Sequence, residues 1–328
     1  MAFSIRESAT EMAVNFANDS DKIAPDEIPT VRFATGARLA ARQFLRNPAA
    51  TSGLVVLALL CLAAIAAPWI SHFDPVQIKL SAKLQPPSWE HLLGTDHFGR
   101  DVLSRLLYGS RVSLSIGLLV VAFSTSFGVP IGMVAGFMRG HVENGLMRLM
   151  DAFLTFPPLL LAVTIVGLLG PDLRNVMLAI GIVQVPVLAR IVRACTLSAR
   201  EEVYVVAASA LGASPLRIAT RHILRNILSP IVVQLTIGFS AAIIAEASLS
   251  FLGLGTQPPN PSWGRDLADA RRYMADAPWL FLSPTATIML AVLSINFIGD
   301  GLRDALDPRS WRTRARTASV KGVITWRS

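Results

Sequence analysis

Residues 200–226 read REEVYVVAASALGASPLRIATRHILRN. The stretch is polar, holds no membrane span and sits between two long apolar runs. The small pair Ala207 and Ala208 precedes Gly212, and Ser214 and Pro215 follow it. Serine is a favoured N-cap, and proline is pre-set for the first helical position. The pattern predicts a helix, a sharp turn at Gly212 and a second helix. Such a unit would lie on a membrane surface, where another protein can push on it.

The flanking runs set the fold class. The 328 residues are 52% hydrophobic and 16% charged, against about 25% charged in soluble globular chains. Long runs with few charges mark a polytopic helical membrane protein. The predicted spans are Gly53 to Ile70, Val112 to Met138, Ala152 to Gly170, Val176 to Val192, Ile227 to Ala245 and Trp279 to Gly299. The expected fold is therefore all-α, with six transmembrane helices and the 200–226 unit between spans 4 and 5. Gly128, Pro130 and Gly132 inside the second span predict a kink or a close helix contact.

The remaining segments divide around these spans. Residues 1–34 show no periodic apolar pattern and read as a disordered cytoplasmic tail. Residues 35–52 read as an interfacial helix with Arg38, Arg42 and Arg46 on one face. Residues 53–299 hold the six spans, and 300–328 read as a basic cytoplasmic tail. An even number of spans puts both termini on one side. Of the 30 Lys and Arg residues, 21 fall in segments on that side, 200–226 among them. The positive-inside rule then places the termini and this unit in the cytoplasm. The same rule accounts for the net charge of +8, so membrane lipid, not nucleic acid, is the expected partner.

The sequence holds no enzyme site. Lys22, Lys79, Lys83 and Lys321 each lack a preceding glycine, so no GxxxxGK[ST] phosphate loop exists. The five histidines are scattered, without HExxH or a Cys/His cluster at metal spacing. Cys61 and Cys195 fall in or beside apolar runs and read as free thiols. No cofactor or metal is expected on this chain. Energy for any driven process must come from a partner.

Two polar residues inside apolar runs are candidates for a pathway. A charge at bilayer depth is costly and usually faces a cavity or a partner. Glu246 either lines a translocation path or sits near the outer interface and bonds the following loop. Gln184 either bonds across helices or touches substrate. Asp151 reads as a carboxylate at a helix N-terminus, stabilised by the dipole. Trp69, Trp263 and Trp279 read as an aromatic belt. QPPNPSWG, residues 257–264, reads as a rigid outer loop.

The 200–226 unit resembles the coupling segment of ABC-importer permeases, the EAA loop. That pattern is EAA, three residues, Gly, nine residues, then I-x-L-P. Here Val206-Ala207-Ala208, Gly212 and Leu224 keep the spacing, while Val206 replaces the Glu and Arg225 the Pro. HLLGTDHFGRDVLSRLLYGSRVSL (91–114), MRLMDAFLTFPPLLLA (147–162), LSAREEVYVVAASALGAS (197–214), ASLSFLGLGTQPPNPSWG (247–264) and NFIGDGLRDALDPR (296–309) extend the likeness. Together they resemble the C-type permease subunit of the dipeptide/oligopeptide/nickel branch, over about residues 35–310.

The resemblance implies half of a bacterial inner-membrane permease, completed by a B-type permease subunit. It implies two ABC ATPase subunits that use ATP and Mg, and an extracytoplasmic solute-binding protein. Carried over, Ala207, Ala208 and Gly212 are the coupling motif, and Tyr204, Val206 and Leu211 would fill a groove on the ATPase. Peptides are the default cargo of the branch, while nickel, glutathione and other small solutes use similar permeases. A secondary transporter would need paired intramembrane charges or repeated broken helices. Neither is evident in the sequence.

Overall fold

The computed structural model describes residues 33–306, and it contains helices and turns with no strand among them. The expected tail before residue 33 and the basic tail after Leu306 lie outside the described residues. The described residues fall into two compact units, 33–41 and 42–306. Helix α1, Phe33–Arg46, runs across that boundary.

Helix α2, Pro48–Ile70, opens on Pro48. The Asn47 side-chain oxygen caps it, accepting from the amides of Ala49 at 3.1 Å and Ala50 at 3.3 Å. The first crossing thus starts inside the 35–52 stretch expected to lie on the surface. Helix α3, Val102–Met138, has 37 residues. Asp101 caps it by accepting from the Ser104 amide at 2.8 Å. At 1.5 Å per residue it is roughly 55 Å long, well beyond a hydrocarbon core of about 30 Å. It begins at Val102, ten residues before the span predicted from Val112.

The third crossing departs from expectation. The run Ala152 to Gly170 is not one helix. It is split between α4, His141–Thr155, and α5, Pro158–Leu169, which meet at 89°. Pro157 and Pro158 cause the break, because proline disfavours helical geometry in the residue before it and has no amide to donate. With 12 residues, α5 is about 18 Å long and too short to cross alone. Asp151 is therefore in the last turns of α4, not at a helix N-terminus. It pairs with Arg190, and Glu143 pairs with Arg193. Carboxylates eight residues apart on α4 meet arginines three apart on the next long helix, so α4 crosses that helix obliquely.

That long helix is α6, Leu173–Arg200. A short helix, α7, Val203–Ala210, follows. Helix α8, Pro215–Phe251, carries a wide π-helical turn at Ile218–Ile223. Helix α9, Trp263–Ala270, leads to α10, Pro278–Leu306, whose last turns enter the stretch expected to be tail. Among the described residues, five helices (α2, α3, α6, α8 and α10) are long and apolar enough to cross a membrane, and counting the bent α4–α5 pair as one broken span gives six.

The helices α3 and α6 form the most extensive pairing. Gly128, Gly132 and Gly136 make its seam, facing Leu188, Val192 and Thr196. A Cβ on Gly136 would lie 2.7 Å from that of Thr196, so only glycine permits this approach. The close contact expected from the sequence is present. On α2, Leu54, Leu59, Leu62 and Ile65 stay exposed, as a lipid-facing helix requires.

At the face opposite α7, the polar segments 71–101 and 252–277 fold into a cap on the ends of α3, α8 and α10. Arg105 donates to Asp266 Oδ1 from Nε at 2.8 Å and from a terminal nitrogen at 2.5 Å. Arg100 Nε donates to Asp96 at 2.5 Å, and His91 Nδ1 lies 2.9 Å from Asp101. Trp263 is fully buried in this cap, with Nε1 3.2 Å from Ser110 Oγ. It is a core residue, which corrects its reading as part of an aromatic belt. Trp69, by contrast, is largely exposed.

Candidate functional site at the exposed turn

Chain order builds the site. Helix α6 ends at Arg200, with Glu201 at its C-cap. Helix α7 then leads into a turn at Gly212, whose φ is +79°. Glycine adopts that left-handed conformation without steric cost. A Cβ here would find no neighbour within 4 Å, so conformation, not space, selects glycine. Ser214 stands at the N-cap position and Pro215 at the first helical position, as the sequence predicted, although the Ser214 side chain makes no capping bond.

One side of α7 is anchored. Val205 is 5% exposed and packs in one cluster with Ile218, Ile223, Val192 and Met133. Ala208 packs against the same cluster. The Asn226 amide donates to the Tyr204 hydroxyl at 2.9 Å. Burial, the largest influence, pushes the Tyr204 phenol above its ordinary range, so the hydroxyl stays protonated at neutral pH. The base of α7 is fastened as well. Arg200 donates to the Phe137 carbonyl at 2.6 Å, and Arg139 to Glu201 at 2.6 Å. Both bonds reach the end of α3.

The other side is apolar and open. Val203 is 81% exposed, Val206 60%, Leu211 88% and Leu216 74%, with Tyr204 partly exposed at 39%. Ala207 and Gly212 are exposed beside them. The sequence-predicted residues thus divide. Val206, Ala207, Leu211 and Gly212 face outward, Ala208 turns toward the core, and Tyr204 straddles the edge. A bare apolar surface on a short, firmly backed helix is a candidate interaction site.

The two candidate pathway residues stand apart from this turn and from each other. Gln184 donates to the Gly238 carbonyl at 2.9 Å, joining α6 to α8. It also lines a cavity of about 250 Å³ with Gln234, Phe153 and Phe156. Glu246 is 0% exposed. Its carboxylate accepts from Ser250 at 2.7 Å, Ser262 at 3.1 Å and Ser113 at 3.3 Å. It therefore faces a cage of three hydroxyls, two of them from outside its own helix. No group of three or more His, Cys, Asp or Glu residues among the described residues is placed to hold a metal.

Sequence reasoning missed the fasteners: Arg139, Arg200 and Asn226 beneath α7, and the Arg105–Asp266 pair in the cap. Isolated charges in polar segments carry no periodic signal, and their partners lie 22 to 161 residues away.

A family model described as the binding-protein-dependent transport system inner membrane component matches residues 128–312, more than half of the chain. The chain belongs to this permease family. A second model, the N-terminal TM domain of oligopeptide transport permease C, matches residues 37–87 of the permease. A putative peptide transport system permease of Brucella abortus is 50% identical over 271 residues, covering 83% of this chain and 91% of that one. The dipeptide transport system permease DppC of Alkalihalophilus pseudofirmus is 46% identical over 272 residues, covering 83% and 90%. The permease is thus a C-type subunit of the dipeptide/oligopeptide/nickel branch. Among solved structures, the inward-facing MetNI methionine ABC transporter matches at a TM-score of 0.52 with 19% identity. The match covers 62% of this chain and 96% of that one, and it supports the fold. As an importer permease it is a multi-pass membrane subunit that works with an ATPase and a binding protein.

Proposed function

We propose that this chain forms half of the translocation pathway of an ATP-driven importer of di- and oligopeptides. A B-type permease subunit supplies the other half, two ABC ATPases dock on the face carrying α7, and a solute-binding protein delivers cargo to the opposite face. The α7 face and both termini are cytoplasmic, in the bacterial inner membrane. ATP and Mg are bound by the ATPases; this chain contributes no catalytic group.

The observation that carries the reading is the open apolar surface of Val203, Val206, Leu211 and Leu216, backed by the Val205 cluster. Closure of the ATPase dimer carries α7 with it. The Val205 cluster passes this movement to α6 and α8, and the Arg200 and Arg139 bonds pass it to α3. A two-state bundle whose equilibrium shifts with ATPase closure gives alternating access. The Val206 position lacks the carboxylate of the family pattern, and packing takes its place. Gln184 and its cavity are the favoured contact along the path. Glu246 holds the outer end of α8 in register.

The test is purification of the complex from native membrane in mild detergent, followed by reconstitution with its binding protein. Recovery of a second permease and P-loop ATPases, with ATP-dependent dipeptide uptake, is the expected result. A chain that purifies alone and transports alone would overturn it.

A further inference from the structure

A cavity of about 460 Å³ opens in the cap, on the face opposite α7. That volume suits a small ligand. Its walls include Arg100, Arg265, Arg271 and Arg272, with Asp269 as the acidic residue among them. Asp269 is already engaged. Arg265 pairs with it at 2.8 Å, and Arg100 lies 4.0 Å from it while also bonding Asp96. Arg271 and Arg272 form no ion pair among the described residues. Arg271 rests over the Phe251 ring at 5.7 Å. Aromatic rings line the cavity as well, with His97 stacked on Tyr273 at 5.0 Å and Arg100 over Phe98 at 4.8 Å.

Two guanidiniums without an ion pair among the described residues, beside aromatic rings, suit a carboxylate on a small ligand. Guanidinium binds carboxylate through two parallel donors. The cavity abuts Ser250, Phe251 and Gly253, the residues where α8 leaves the membrane. We propose that this pocket is an entry subsite that takes the C-terminal carboxylate of a short peptide on Arg271 and Arg272. The inference rests on the peptide-import reading and adds to it the residues and the chemical group. The pocket holds cargo released by the binding protein before it moves into the bundle. Arg265 and Arg100 stay on Asp269 and shape the floor.

The test uses the assembled transporter without its binding protein, and reads engagement of dialanine by saturation-transfer NMR. Dialanine is expected to engage the wild-type complex. The double variant Arg271→Gln/Arg272→Gln is expected to lose at least about tenfold in engagement, and dialanine amide to bind the wild type as weakly. Arg271→Lys/Arg272→Lys should recover part of the loss. Both arginines are exposed, and neither makes an ion pair among the described residues, so these variants are expected to keep the cap folded, which thermal unfolding checks. Equal engagement of dialanine by wild type and double variant overturns the proposal, as does equal engagement of acid and amide. If the double variant instead loses capture of the loaded binding protein while dialanine engagement is unchanged, the carboxylate belongs to that protein and the proposal also fails. Failure of the peptide-import reading has a separate sign: the wild type, supplied with its binding protein, takes up no peptide.

Discussion

The Asn226 side-chain amide donates to the Tyr204 hydroxyl at 2.9 Å, tying the first turn of α7 to the second helical stretch of α8. The bond bridges the Gly212 turn from the outside, and Val205 packs against Ile218 and Ile223 on the inside. Removing it with Tyr204→Phe keeps the ring and costs about 1 kcal/mol of net hydrogen bonding. In reconstituted transporter, ATP hydrolysis should be unchanged while peptide moved per ATP falls severalfold. An unaltered ratio would show that the pair plays no part in transmission.

Gly212 gives a sharper test of the turn. Its φ of +79° is open to glycine and, at modest cost, to asparagine. A β-branched residue there costs about 1–2 kcal/mol, and its Cβ would meet no neighbouring atom within 4 Å. Gly212→Val should therefore insert and assemble normally but transport poorly while still hydrolysing ATP. Gly212→Asn should retain most transport. Equal loss in both variants would mean that bulk at the dock, and not backbone conformation, is what the position excludes.

The sequence reveals the Gly212 turn because the turn is local: Gly, Ser and Pro within four residues set both its conformation and the next helix start. The long apolar runs likewise announce α2, α3, α6, α8 and α10. The third crossing misleads because hydrophobicity is continuous from Ala152 to Gly170, while the direction of the chain changes at Pro157. Apolar content reports depth, not heading. Trp263 misleads because a buried tryptophan and an interfacial one look alike until Ser110 and Leu106, more than 150 residues back, are seen beneath it. The turn that carries the exposed apolar residues is legible, whereas its backing is not. Arg139, Arg200 and Asn226 act through single long-range bonds.

The surroundings of Glu246 predict a contribution to stability. Three serine hydroxyls, from α3, α8 and the loop before α9, point at one carboxylate. Glu246→Ala would leave them without that acceptor in a fully buried site. Each unsatisfied group costs about 1–3 kcal/mol, so the loss should be about 3 kcal/mol or more. Glu246→Gln keeps one acceptor oxygen and should lose less. Thermal unfolding of the purified complex measures both. Wild-type stability in Glu246→Ala, together with altered transport, would return the residue to the pathway.

His97 gives the cap a predictable response to acid. Burial, the largest influence, pushes its imidazole below the ordinary histidine range. Asp96 and Asp269 pull it upward, and Arg100 and Arg105 push it down. In the unfolded cap the ring titrates near 6.5. Between that value and the lower folded one, the unfolded state binds more protons. The contribution of His97 to stability is therefore complete above about pH 6.5 and falls as pH drops through the folded value. Hydrogen exchange of the cap amides should show protection declining through that window. His97→Phe keeps an aromatic ring against Tyr273, which stacks on His97 at 5.0 Å, and removes the proton. Its protection should decline less steeply over the same range. Identical slopes in the two proteins would assign the acid response to other groups in the cap.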